Sequence, residues 1–438
     1  MAYAYLLLII AFANDFFTFL PNKLPGGIQT SDLGILLIGI GIVFYIVKER
    51  SIGSLANFFT WYVAFYLVLV LAQVSIASFK YSQSIISGVI AGREQLYYLS
   101  FPLFLMALSD LNKLEVFMKA MSALAVAIVV LSVINYFGPT IFVHEHAEGA
   151  GERSGIVRAF VPGMNILVIA ALWQFWSYLK GNQLFSVNLT IFAVIYGGLI
   201  FRQTRSRLVA VSAILALMMV ATKRYRMLAA ATAVVLLVVL VNVLRPGSGE
   251  NLIFNLFVSA FSDLAEGEGT WAGRMEQVAE SWDVFIDNFF TGSGGLVIGG
   301  AGRFGDLRLV ALAMDHGYWI WFKFFGLWGF VYLLALVIGF YYYARRCGQS
   351  GDAAYVGRFA TYHFACILIS LLTINYLTTT HGIVMMCLTW ALIVKAAESA
   401  VVDNQSKQSP ILLSTRTNEV TGQGAGPAAS HSIGCFKG

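Results

Sequence analysis

Three arginines, Arg202, Arg205 and Arg207, stand within the seven residues RQTRSRL, between the apolar runs IFAVIYGGLIF and LVAVSAILALMMVA. A guanidinium stays protonated and presents a planar fork of donors that matches phosphate or carboxylate. Three of them in one tight hairpin, with no acid nearby, repel one another unless an anion balances them. The structural alternative is snorkelling, in which the stems run along apolar surface and the heads reach water. As chemistry, the stretch suits an anion held at headgroup depth. A polyprenyl diphosphate has this shape, with its tail in the bilayer and two phosphates at the interface.

Two further stretches carry reactive side chains. GRMEQVAESWDVFIDNFF places Met275, Val278, Trp282, Phe285, Ile286 and Phe289 on one helical face, with Arg274 in its first turn. The glycine-rich TGSGGLVIGGAGRFG follows. It reads as a flexible loop or, alternatively, as a backbone nest for phosphate. Then Asp315 and His316 precede an apolar segment. Histidine is the side chain best suited to serve as a base near neutral pH. Arg153 and Arg158 lie in an earlier polar loop, beside His144-Glu145-His146, which reads as solvated rather than as a metal site. Asp15 near the end of the first apolar segment is either functional or the partner of an arginine. Lys323, one turn into the tenth span, reads as snorkelling outward, and His363 and His381 read as structural. No metal ion and no cofactor is expected, and Cys347, Cys366, Cys387 and Cys435 form no zinc or disulfide pattern.

The elements that must position these groups are membrane helices. Of 438 residues, 58% are hydrophobic and 12% charged. A soluble domain carries about 25% charged residues. Apolar runs of the length that a bilayer requires recur along the chain, which predicts an all-α polytopic integral membrane protein with about twelve transmembrane helices. The expected spans lie near 4–20, 33–47, 56–78, 95–108, 116–137, 164–178, 187–201, 207–222, 227–244, 318–343, 360–378 and 381–396. Segment 82–94 is too short and too rich in glycine and serine to span, and is expected to lie in the interface or re-enter. The chain then divides into helices and short loops over 1–244, one large helical loop over 245–317, helices over 318–399, and a disordered tail over 400–438.

Loop parity sorts the charges. One set of loops mixes lysine with arginine (Lys48, Lys113, Lys180, Lys223, Arg345, Arg358 and Lys395 among them) and faces the cytoplasm by the positive-inside rule. Both termini are then cytoplasmic. The opposite set contains Arg93, Arg153, Arg158, Arg202, Arg205, Arg207, Arg245, Arg274, Arg303 and Arg308, but only Lys23 and Lys80. Topological anchoring alone gives no reason to prefer arginine over lysine. A bidentate grip on an anion does.

Three motifs in this order resemble the O-antigen ligase and O-antigen polymerase superfamily. They are T-x-S-R (Thr204, Ser206, Arg207), then Arg274, Trp282 and Gly292-Ser293-Gly294 in the large loop, then His316, Trp319, Gly326 and Gly329 opening the next span. One departure is that the family often reads His-Asn where this chain has His316-Gly317. The resemblance implies a metal-independent glycosyltransferase of the bacterial inner membrane with a periplasmic site. Its donor would be a glycan on undecaprenyl diphosphate. Its acceptor would be either the next lipid-linked repeat, in a polymerase, or lipid A–core, in a ligase. The expected roles are Arg207 and Arg274 on the diphosphate and His316 at the acceptor hydroxyl or departing phosphate. Arg202, Arg205, Arg153, Arg158 and Asp315 would contact phosphate or glycan. Polymerase is the favoured reading, ligase the alternative, and a lipid-linked oligosaccharide transporter the third. The expected partners are the lipid-linked donor, the acceptor and membrane lipid, with no nucleic acid.

Overall fold

A computed structural model describes residues 2–14, 30–49, 56–138, 162–181, 186–201, 205–244, 269–294, 317–348, 351–372 and 376–420. These are helical, with no strand among the described residues. In chain order the helices are α1 (Ala2–Ala13), α2 (Thr30–Glu49), α3 (Phe58–Tyr81) and α4 (Ile85–Ala91). A 3₁₀ run (Gly92–Leu99) leads into α5 (Ser100–Ala107), followed by α6 (Leu111–Phe137), α7 (Met164–Lys180), α8 (Val187–Phe201) and α9 (Arg205–Ala221). Then come α10 (Tyr225–Leu244), α11 (Gly269–Asp287), α12 (Tyr318–Phe325), α13 (Leu327–Arg346), α14 (Gly351–Ser370) and α15 (Thr380–Val420).

Among the described residues five helices are long and apolar enough to cross a membrane: Thr30–Lys48, Phe58–Tyr81, Leu111–Phe137, Leu327–Arg346 and Thr380–Val402. Their surfaces agree with that reading. In α2, Leu36, Ile40, Val43 and Val47 stand exposed on one stripe; in α13, Phe330, Leu334, Val337 and Tyr341 do the same. A water-soluble monomer rarely shows apolar bands of this extent. The opposite face of α13 buries Tyr332, Leu333, Leu336 and Phe340. The first part of α15 is instead enclosed by protein, with 89% of its apolar window buried. It is the axis of the bundle.

An aromatic stack fills the centre. Tyr66 stacks on Trp321 at 5.2 Å, Trp321 on Tyr332 at 4.9 Å, and Phe59 on Trp390 at 5.0 Å. Buried phenols need partners in so apolar a setting. Tyr66 donates to Gln95 Oε1 at 2.6 Å and Tyr98 to the Leu377 carbonyl at 2.8 Å.

Several expected segments differ. The span expected near 95–108 and the interfacial piece before it form one unbroken helical run, α4 through α5. The span expected at 318–343 breaks at Gly326, whose φ is +58°. A Cβ there would lie 2.4 Å from the Phe289 carbonyl oxygen. The broken helix is repaired from outside: Leu327 N–H donates to Phe289 O at 2.7 Å, and Lys323 O accepts Ser293 N–H at 3.1 Å. Backbone at membrane depth is tolerated outside a helix where protein satisfies it in this way. The backbone of α15 continues to Val420, so its helix extends into the stretch expected to be a disordered tail.

Candidate functional site

The helix ends sort into two groups. At one end, Gly163 N–H donates to Asn14 O at 3.0 Å, Thr380 Oγ1 to Ala13 O at 3.1 Å, and Tyr318 N–H to Leu371 O at 3.1 Å. These bonds join the end of α1 to the starts of α7 and α15, and the start of α12 to the end of α14; the Tyr376 hydroxyl, on Asn165 Oδ1 at 2.6 Å, links α7 to the residues just before α15. At the other end, Lys180 pairs with Asp352 at 3.3 Å and stands over the Tyr355 ring at 4.3 Å. Phe58 N–H donates to Tyr343 Oη at 3.4 Å there. The first group belongs to the arginine-rich loops and the second to the lysine-bearing loops.

Arg207 lies at the arginine end, in the first turn of α9. That turn holds no acidic residue. The helix dipole adds positive potential at the same point, so the site is doubly unfavourable for a cation and favourable for an anion. Arg207 is 9% exposed, and its Nε has no hydrogen-bond acceptor. The guanidinium carbon stands 6.0 Å from the centre of the Tyr376 ring. Tyr376, itself buried, donates its hydroxyl to Asn165 Oδ1 at 2.6 Å. Asn165 Nδ2 is buried and also lacks an acceptor. No carboxylate forms an ion pair with Arg207 among the described residues. Protein covers nine-tenths of this side chain, which does not suit an arginine whose head reaches water by snorkelling.

The other expected site residues fall as follows. Arg205 opens α9 and Arg274 lies in α11; their backbones are described and their side chains are not. Arg202, Arg153, Arg158, Asp315 and His316 lie outside the described residues, as do Asp15 and His144-Glu145-His146. The residues that follow His316 are placed. Gly317 and Tyr318 dock on the end of α14, where Tyr318 Oη also donates to Leu368 O at 2.8 Å. The Leu371 carbonyl that receives Tyr318 N–H stands five positions before Tyr376. The start of α12 and Arg207 thus meet residues only five positions apart in sequence, Leu371 and Tyr376. Helix α11 joins this end by packing on α12, with Trp282 edge-on to Trp319 at 5.8 Å and Phe285 against Phe322 at 5.9 Å.

Two expectations are corrected. Over the described part of the glycine-rich loop, neither a free loop nor a phosphate nest forms. Gly292 N–H donates to Asn288 O, Ser293 N–H to Lys323 O, and Gly294 N–H to Gln73 Oε1 at 3.0 Å, which leaves none of these donors for a ligand. Gln73 Nε2 grips Thr291 O at 2.8 Å in return. The G-x-G motif here is a structural splice between α3 and the helix break. Arg93 is likewise occupied, by Asp32 at 2.6 Å.

Sequence reasoning missed Asn165 and Tyr376. Each is a single polar group at the mouth of an apolar segment, and only the fold shows that they meet. No protein-family model matches the chain, and no curated protein matches it.

Proposed function

We propose that the protein is a membrane glycosyltransferase that moves a glycan from undecaprenyl diphosphate to an acceptor glycan, as an O-antigen or exopolysaccharide polymerase. The observation that carries this reading is Arg207: a buried guanidinium with an unpaired Nε, at a helix N-terminus, with no carboxylate partner among the described residues. The arginine-rich set of loops and the motif order around it support the same reading.

In the proposed reaction the acceptor hydroxyl attacks the anomeric carbon of the donor. The bond from that carbon to the diphosphate breaks, the new glycosidic bond forms with inversion, and the lipid diphosphate leaves. His316 takes the hydroxyl proton or steadies the departing phosphate. Arg207 and Arg274 stabilise the charge that grows on the diphosphate, a task that preorganised donors perform without a metal ion. The test uses purified full-length protein and lipid-linked oligosaccharide, with chain length read on a gel. Transfer proceeds in chelator, and His316→Ala and Arg207→Lys each lose it, by about 100-fold or more. Full transfer by either variant overturns its assigned role. Deleting the gene distinguishes the acceptor: single-repeat lipopolysaccharide supports polymerase, whereas polymer retained on the lipid carrier supports ligase.

A further inference from the structure

Arg207 is one of two buried donors that share a single tyrosine. The Tyr376 ring lies beneath the guanidinium, 6.0 Å from its carbon, while the Tyr376 hydroxyl holds Asn165 Oδ1 at 2.6 Å. With its oxygen occupied, the Asn165 amide has only its NH₂ left to offer. That nitrogen is buried and unpaired, as is Arg207 Nε. Asn165 is 2% exposed and Tyr376 2%. Leaving a buried donor unmatched is costly, and more so when it is charged. Two such donors fixed by one ring are complementary to a ligand that brings acceptors only.

We infer that Arg207 and Asn165 form a two-donor oxyanion site for the diphosphate of the lipid-linked substrate, with Tyr376 as the residue that positions both. The inference rests on the reading above for the lipid source of the diphosphate, and on the structure for the donors. Asn165 supplies a neutral second donor. It adds hydrogen bonding without adding to the charge of the arginine-rich end.

The test uses full-length protein in detergent with two probes, inorganic pyrophosphate and farnesyl diphosphate, and reads affinity from ligand-dependent melting. Wild-type protein binds both, and the prenylated probe more tightly. Asn165→Ala weakens pyrophosphate by about tenfold. Asn165→Asp places a carboxylate where the ligand belongs. It raises the melting temperature of the ligand-free protein and abolishes pyrophosphate binding, a pair of opposite effects that a purely structural asparagine does not produce. Tyr376→Phe weakens binding in the wild-type background but adds nothing in Asn165→Ala, because the hydroxyl acts through the amide. Binding retained in Asn165→Asp, additive effects of Tyr376→Phe and Asn165→Ala, or no binding of either probe to wild type overturns the proposal. Failure of the functional reading looks different. Both probes then bind equally and no glycan is extended, while Asn165→Asp still abolishes pyrophosphate binding.

Discussion

Replacing Gly317 by asparagine puts a side chain where the structure has no room for one, and the structure predicts that it damages this protein. Gly317 has φ +52° and ψ −116°, a region that side-chain-bearing residues rarely enter. A Cβ there would lie 1.6 Å from the Leu371 carbonyl oxygen. The same oxygen accepts Tyr318 N–H at 3.1 Å, the bond that seats the start of α12 on α14. The dihedral strain costs about 1–3 kcal/mol. Losing the seating bond adds about 1 kcal/mol. Together Gly317→Asn and Gly317→Ala should each cost about 2–4 kcal/mol. Because His316 immediately precedes this point, the proposed glycan transfer should fall with stability. Gly39→Ala is the control: it lies in α2 with open space where the Cβ would go, and alanine there favours the helix. Melting by tryptophan fluorescence and glycan transfer are measured on the same detergent-purified samples. If Gly317→Asn melts and transfers like wild type while Gly39→Ala behaves as expected, the tight seating of this segment is wrong.

Gln73→Ala removes the two side-chain bonds that tie the 291–294 splice to α3, and should cost about 2 kcal/mol and open residues 288–294 to added protease. Asp110 caps α6 by accepting Lys113 N–H at 2.8 Å, so Asp110→Ala should destabilise by about 1 kcal/mol, whereas Asp110→Asn keeps the cap. That same backbone N–H holds the Asp110 carboxyl below its ordinary range. A depressed carboxyl stabilises above its unfolded pKa and loses that contribution as pH falls through the folded value. The gap in melting between wild type and Asp110→Ala should therefore narrow below about pH 4. Arg207→Met should raise the melting temperature of the ligand-free protein while abolishing the proposed transfer, since it removes a buried guanidinium that has no carboxylate partner among the described residues; a lower melting temperature would show that the charge is already matched.

The helical class and the alternation of loop ends were legible because apolar run length and charge type are local properties. The contacts sort the ends into the same two groups that loop parity predicts, as Lys180 with Asp352 and Ala13 with Thr380 show. The break at Gly326 was not legible. Its cause is a carbonyl from the turn at 288–292, far away in sequence, that fills the place of a Cβ. The composition of TGSGG suggested freedom or ligand binding, yet its first N–H groups are spent on Lys323 and Gln73. Of the candidate site, the sequence identified Arg207 through its charge. Asn165 and Tyr376 carry no such signal, since asparagine and tyrosine are common at the ends of membrane helices and only the contacts of Tyr376 with both Arg207 and Asn165 distinguish them.

Arg93 and Arg207 belong to the same arginine-rich set of loops. They differ in what surrounds them. Arg93 and Asp32 each keep about a quarter of the side chain exposed and pair at 2.6 Å, so their charges cancel and water screens the remainder. Arg207 is enclosed, faces the positive end of its own helix, and among the described residues rests on a ring rather than on a carboxylate. Ring contact offsets only part of the cost of desolvating a guanidinium: about 2 kcal/mol or somewhat more, against several. The balance has to come from elsewhere, and a ligand that brings negative charge supplies it only while bound. A site arranged in this way is weak when empty and strong when filled. That difference is what a transferase needs if it is to stabilise charge appearing on a leaving diphosphate more than it stabilises the resting protein.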